Sequence, residues 1–180
     1  KFGSLVIIDE AYYHFNNITA QSLIKSCQNL IVVRTFSKAF GVAGMRIGYT
    51  ISNKKIIGYM LSIKPIYEIN ALNMKLVRIL IKNIKVMKNY VKEVHKGRMI
   101  LKKFLNQRNI EMIGRYSNTV LFKLESKTKV DKVIKYLFKN KFIVRPMKID
   151  NDDKFIRATL GSSKIMKKFI SKLRFALKLN

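Results

Sequence analysis

Two short apolar runs constrain this chain more than any other feature of it. Residues 5–8 of SLVIIDE and 30–33 of LIVVR are rich in β-branched side chains. Each is too short for a helix and lacks the alternation of a half-exposed strand, so each reads as a strand buried in a sheet. The first delivers Asp9 and Glu10 at its end, and the second delivers Arg34. Residues 46–52, RIGYTIS, read as a third strand, and 19–26 as a short helix between the first two. Strands separated by helices or long loops predict an α/β sheet, in which ligands meet the side chains beyond the strand C-termini.

After Asn53 the period changes. Leu76, Ile79, Leu80, Ile84, Met87, Val91, Val94, Leu101 and Leu105 recur at helical spacing, which predicts one long helix over 73–106, or two with a break near Gly97. A second α/β unit follows. NTVLFKL, FIVRP and FIRATLG read as strands, with amphipathic helices over 129–140 and 164–178. The domain reading is therefore 1–72, a connecting helical stretch 73–108, and a small C-terminal α/β domain 109–180.

The net charge of +27 raises the question of nucleic acid. The basic residues run through the whole chain beside Ile and Asn, with no basic block and no zinc-finger, RNP or helix-turn-helix spacing. They read as solvated faces and compositional bias, with no specific nucleic-acid partner. No apolar run approaches a membrane span, so no membrane partner is expected either. Cys27 is the single cysteine, which leaves no disulfide framework and no metal site. It reads as a small apolar filler, His14 as a packing residue, and the compartment as cytoplasmic.

The chemistry concentrates around Lys38. An amine forms Schiff bases only once it has lost its proton, which burial or nearby cations promote. Lys38 follows an apolar strand, lies between Phe36 and Phe40, and has the hydroxyls of Thr35 and Ser37 beside it. Eight residues on, Arg46 follows the glycine-flanked GVAG. Hydroxyls, free N–H groups and a guanidinium beside a lysine suit a phosphate-bearing carbonyl ligand. Upstream, Asp9 at a strand end is placed to pair with a cationic ring nitrogen, as pyridoxal phosphate requires. Tyr12 is placed to donate to a phenolic oxygen.

VIIDEAYYHF and TFSKAFGVAGMRIGY together resemble the class I/II aminotransferases of pyridoxal-phosphate fold type I, most of all those acting on histidinol phosphate. FIVRPM and FIRATLGS resemble the two arginine-bearing strands of that family's small domain. The resemblance implies pyridoxal 5'-phosphate as cofactor, carried by Lys38 as a Schiff base. It further implies Asp9 on the pyridine nitrogen, Tyr12 on the ring oxygen, and Ser37 and Arg46 on the phosphate. Arg157 would hold the substrate α-carboxylate, and Arg145 would lie near the substrate side chain. The implied reaction moves an amino group between histidinol phosphate, or an aromatic amino acid, and 2-oxoglutarate. A fold-type-I decarboxylase of a phosphorylated amino acid and an inactive basic remnant are the alternatives.

The family carries a comparable length before DEAY, including a phosphate loop and a ring-stacking aromatic. By resemblance, then, these residues form the C-terminal half of a homodimeric enzyme: part of a large-domain sheet, a long connecting helix and a small domain. Alone, such a half is expected to be inactive and to associate through its uncovered sheet edge.

Overall fold

The computed structural model describes residues 3–66 and 68–179. The chain falls into two compact units, Lys1–Lys88 and Asn89–Asn180.

The first unit is built on a three-stranded sheet of order β1-β2-β3, with β1 Val6–Asp9, β2 Leu30–Thr35 and β3 Gly48–Ser52. β1 and β2 run parallel, with Asp9 opposite Val33, and β3 returns antiparallel to β2. The β1–β2 crossover holds a one-turn helix, α1 (Tyr13–Asn16), and a 3-10 helix over Gln21–Lys25. The central strand is the buried one: Leu30, Ile31 and Val32 are withdrawn from solvent, as its continuous apolar run predicts. β1 departs from expectation. It is an edge strand whose Leu5, Val6 and Ile7 flank is 46–63% exposed, because no further strand or helix covers it among the described residues.

Two helices follow, α2 (Lys54–Ile63) and α3 (Ala71–Lys82). Asn53 and Asn70 cap them, accepting the amides of Ile56 and Asn73 at 3.0 and 2.8 Å. The sequence signals α2 only through its Asn cap. Neither helix buries a single residue; Leu61, Ile63, Leu72 and Ile81 are all more than half exposed.

The helical stretch is two helices, and the break falls at Asn83 rather than Gly97. At the end of α3 the Asn83 side chain and the Asn83 backbone amide both donate to the Ile79 carbonyl, at 2.9 and 3.0 Å. α4 (Ile84–Asn106) then runs straight through Gly97. That glycine is a contact point: a Cβ there would meet the Gly161 carbonyl oxygen and stand 2.8 Å from the Met166 side chain.

The second unit carries a four-stranded sheet of order β4-β5-β7-β6, all antiparallel. Its strands are β4 Met112–Ile113, β5 Thr119–Lys123, β6 Arg145–Ile149 and β7 Asp152–Thr159. One face is dry. Val120 pairs with Ala158 and Phe122 with Ile156, and all four are buried on a sheet over which α5 (Lys127–Lys139) packs, with α6 (Ser163–Ala176) against α5. Each such large side chain contributes on the order of 1.5–3 kcal/mol. FIVRP reads as a strand, but the ladder begins only at Arg145; β6 and β7 then meet through a two-residue turn. Asp150 and Asn151 both have positive φ, 46° and 69°, as a type I′ hairpin requires.

α6 starts against α4. The Glu93 carboxylate on α4 accepts from the Ser163 hydroxyl at 2.8 Å and the Ser163 amide at 3.4 Å, in the first turn of α6. Hydrogen bonds from Lys96 and then Ser163 hold the Glu93 carboxyl down to about 2. Its folded value lies below the ordinary 4.5, so the stabilisation is complete above that range and is lost as pH falls toward 2. Replacing Glu93 with Gln therefore lowers the melting temperature at pH 7 and flattens its fall between pH 4.5 and 2, measured by circular dichroism. Equal acid sensitivity in both proteins would contradict this.

The uncovered β1 edge generates a second expectation. The isolated chain associates in a concentration-dependent manner on size exclusion with light scattering, and Ile7→Lys shifts it toward monomer. A wild-type chain that runs as a monomer at every concentration would refute the edge as a sticking surface.

Candidate active site

The parallel pairing of β1 and β2 brings two strand ends side by side, and five of the seven site residues read from the sequence emerge there. Asp9 is the last residue of β1. Its Oδ1 accepts the Ala11 amide at 2.9 Å, which starts the turn that carries Tyr12. Lys38 follows β2 by three residues, half-buried, with Nζ 5.5 Å from the centroid of the Tyr12 ring. Lysine and tyrosine thus meet across the strand ends, 26 positions apart in sequence.

The loop after β2 folds on itself. The Thr35 hydroxyl accepts the Ser37 amide at 3.0 Å, and the Lys38 carbonyl accepts the Gly41 amide at 3.1 Å. Gly41 has φ +72°, a conformation that favours glycine. A 3-10 turn over Ala43–Met45 follows, and Arg46 leaves it with φ 52°. The Arg46 guanidinium donates to the Ala43 carbonyl at 3.1 Å, so it caps its own turn at the exposed end of the loop. Gly48 lets β3 close on β2, since a Cβ would stand 2.6 Å from the Arg34 carbonyl oxygen.

Beneath the loop lies an aromatic cluster. Phe36 and Phe40 stand 4.7 Å apart, Phe36 meets Tyr49 at 5.7 Å, and His14 meets Phe40 edge-on at 5.2 Å. Burial, and then the charge of Arg34, push the His14 imidazole below its ordinary value, so it is neutral and packs as expected. Its Nε2 is buried without a hydrogen-bond partner among the described residues.

Arg34 and Glu10, outside the set of site residues expected from the sequence, form a buried ion pair of 2.9 Å. Burial alone would lower the Arg34 value; hydrogen bonds with Tyr49 and Glu10 outweigh it and leave the guanidinium above its ordinary range. The signal was present as two opposite charges ending two adjacent apolar strands.

Arg145 and Arg157 lie in the second unit and are direct partners across β6 and β7. Both are exposed, on the face opposite the helices, with Leu121 completing the row across β5. Like charges directly opposite each other destabilise a sheet unless an anion bridges them. Neither makes an ion pair among the described residues. A cleft of about 640 Å³ elsewhere in this unit is also basic, and three of its cations already have partners. Lys123 pairs with Asp152, Lys129 donates to the Leu179 carbonyl, and Arg108 to the Phe104 carbonyl.

The donor set suits a phosphorylated pyridine aldehyde. Among the described residues it offers an amine with no ion pair, a carboxylate with one oxygen in a turn, a serine hydroxyl and a guanidinium at a glycine-flanked turn.

Comparison with known proteins agrees. A sequence model of the family "Aminotransferase class I and II" matches residues 1–173. The histidinol-phosphate aminotransferase of Caldanaerobacter subterraneus is 39% identical over 133 residues, covering 73% of this chain and 38% of that protein. The histidinol-phosphate aminotransferase of Sinorhizobium meliloti, solved in complex with pyridoxal-5'-phosphate, superposes with a TM-score of 0.82 at 20% identity, over 97% of this chain and 49% of that one. A decarboxylase from Sulfurospirillum multivorans gives a TM-score of 0.81 at 26% identity, over 97% and 48%. The chain spans about half the length, or less, of the curated relatives it matches. The chain belongs to the class I and II aminotransferase family.

Proposed function

We propose that this chain is the cofactor-holding C-terminal part of a pyridoxal-phosphate-dependent aminotransferase. Histidinol phosphate or an aromatic amino acid is the donor and 2-oxoglutarate the acceptor. The observation that carries the reading is the Lys38 amine beside the Tyr12 ring at the shared end of β1 and β2, with Asp9 one turn away. The histidinol-phosphate preference rests on the relatives' names.

The cofactor, when bound, supplies an electron sink for the carbanion formed at the substrate Cα. The protein residues do the rest. Lys38 Nζ would hold the cofactor aldehyde and would carry the proton at the substrate Cα. The Asp9 carboxylate would keep the ring nitrogen protonated, the Tyr12 hydroxyl would donate to the ring oxygen, and Ser37 and Arg46 would hold the phosphate. Arg157 grips the α-carboxylate in the bidentate manner lysine performs poorly, with Arg145 beside it for the substrate's own anionic group. The whole protein is proposed as a cytoplasmic homodimer with amino-acid and keto-acid substrates. No helix among the described residues is long and apolar enough to cross a membrane.

A second reading is decarboxylation of a phosphorylated amino acid. It is favoured by the Sulfurospirillum multivorans decarboxylase and by an L-threonine-O-3-phosphate decarboxylase from Porphyromonas gingivalis, the latter at a TM-score of 0.78. It uses the same lysine and arginines, and release of carbon dioxide without keto-acid consumption would identify it.

Borohydride reduction in the presence of pyridoxal phosphate, followed by peptide mass spectrometry, tests the cofactor reading. The label concentrates on Lys38, and Lys38→Ala abolishes that concentration without creating another preferred site. A label spread evenly over the lysines, with steeply salt-dependent retention on nucleic acid, would favour the inactive basic remnant.

A further inference from the structure

Among the described residues of the first unit, Glu10 and Arg34 are the charged side chains most withdrawn from solvent. Burying such a pair is costly, and an apolar pair of similar volume holds a fold as well or better. The location of this pair gives it a purpose. Glu10 adjoins Asp9 and lies two residues before Tyr12; Arg34 lies four residues before Lys38.

The bonds made by the pair lace the intervening segments together. Glu10 Oε2 accepts from Arg34 Nε at 2.9 Å, and its Oε1 accepts the Ala20 amide at 2.7 Å. Arg34 Nη2 donates to the Thr19 hydroxyl at 2.8 Å and to Gln21 Oε1 at 3.1 Å. The guanidinium also lies 3.6 Å over the Tyr13 ring. On the main chain, the Glu10 amide donates to the Val33 carbonyl at 2.8 Å and the Tyr13 amide to the Glu10 carbonyl at 2.9 Å. The turn bearing Asp9 and Tyr12 is thus tied at both ends to the strand that leads to Lys38. A guanidinium fork gives these ties direction, which apolar packing does not.

We propose that Glu10 and Arg34 are positioning residues that set where Asp9 and Tyr12 stand relative to Lys38, acting through the turn and touching neither cofactor nor substrate. The role rests on the cofactor reading above only in what the positioned groups then do.

The test uses the 180-residue chain and a double variant, Glu10→Leu with Arg34→Met, which removes both charges together. Its melting temperature is expected to stay close to that of the wild type. The share of borohydride-trapped pyridoxal phosphate found on Lys38 falls toward that of an average lysine. Without cofactor, amide exchange at residues 11–13 accelerates by about tenfold or more while that of 30–33 is unchanged. Arg34→Lys keeps the charge but loses the fork; it folds and shows the same two changes to a smaller degree, and it decides the matter if the double variant does not fold. Unchanged labelling with unchanged exchange at 11–13 overturns the proposal, as does a fall in melting temperature alone. A wild-type chain that does not favour Lys38 refutes the cofactor reading instead, and the exchange measurement still decides the positioning role.

Discussion

The register of one parallel strand pair governs everything else in the first unit. With Asp9 opposite Val33, successive side chains fall on alternate sides. Glu10 turns inward to Arg34, while Asp9 stays at the open end of the strand. A slip of one residue would exchange them, burying the carboxylate proposed for the ring nitrogen and exposing the one that satisfies a buried guanidinium. The ion pair and the site are therefore alternatives on the same short strand, and the buried partner resolves the choice. β1 is only four residues long, with an exposed flank, and hydrophobic burial alone gives it little to fix its register.

The second unit meets a comparable demand by tolerating repulsion. Its helix-covered face is saturated with apolar contacts, and its stability has no need of Arg145 or Arg157. Two guanidiniums facing each other on neighbouring strands raise the energy of the sheet, a cost that the anion-binding role proposed for them would offset. A register shift between Met147 and Ile149 separates this pair from the Asp150–Asn151 hairpin.

Features that depend on composition along one stretch were legible in the sequence: the α/β class, the central strand, the amphipathic α5 and α6, and the loop around Lys38. Features that depend on what stands opposite were not. The buried state of Glu10 and Arg34 arises from Thr19, Ala20 and Gln21 folding back over them, which no window of sequence displays. β1 reads as buried because its residues are apolar, and it is exposed because burial belongs to its neighbours rather than to itself. The break reads at Gly97 because glycine is the familiar helix breaker, yet it falls at Asn83, whose side chain joins its backbone amide on the Ile79 carbonyl. Asp150–Asn151 was a readable type I′ pair, and FIVRP drew the strand too early because apolar content outweighed turn chemistry.

Gly97 limits the chain in a way its helix does not show. One added carbon there collides with the backbone of Gly161 and the side chain of Met166. Position 48 meets the same limit in the carbonyl of Arg34. Exposure is therefore a poor guide to tolerance: Gly48 is open to solvent and still admits no side chain unless a neighbouring strand moves.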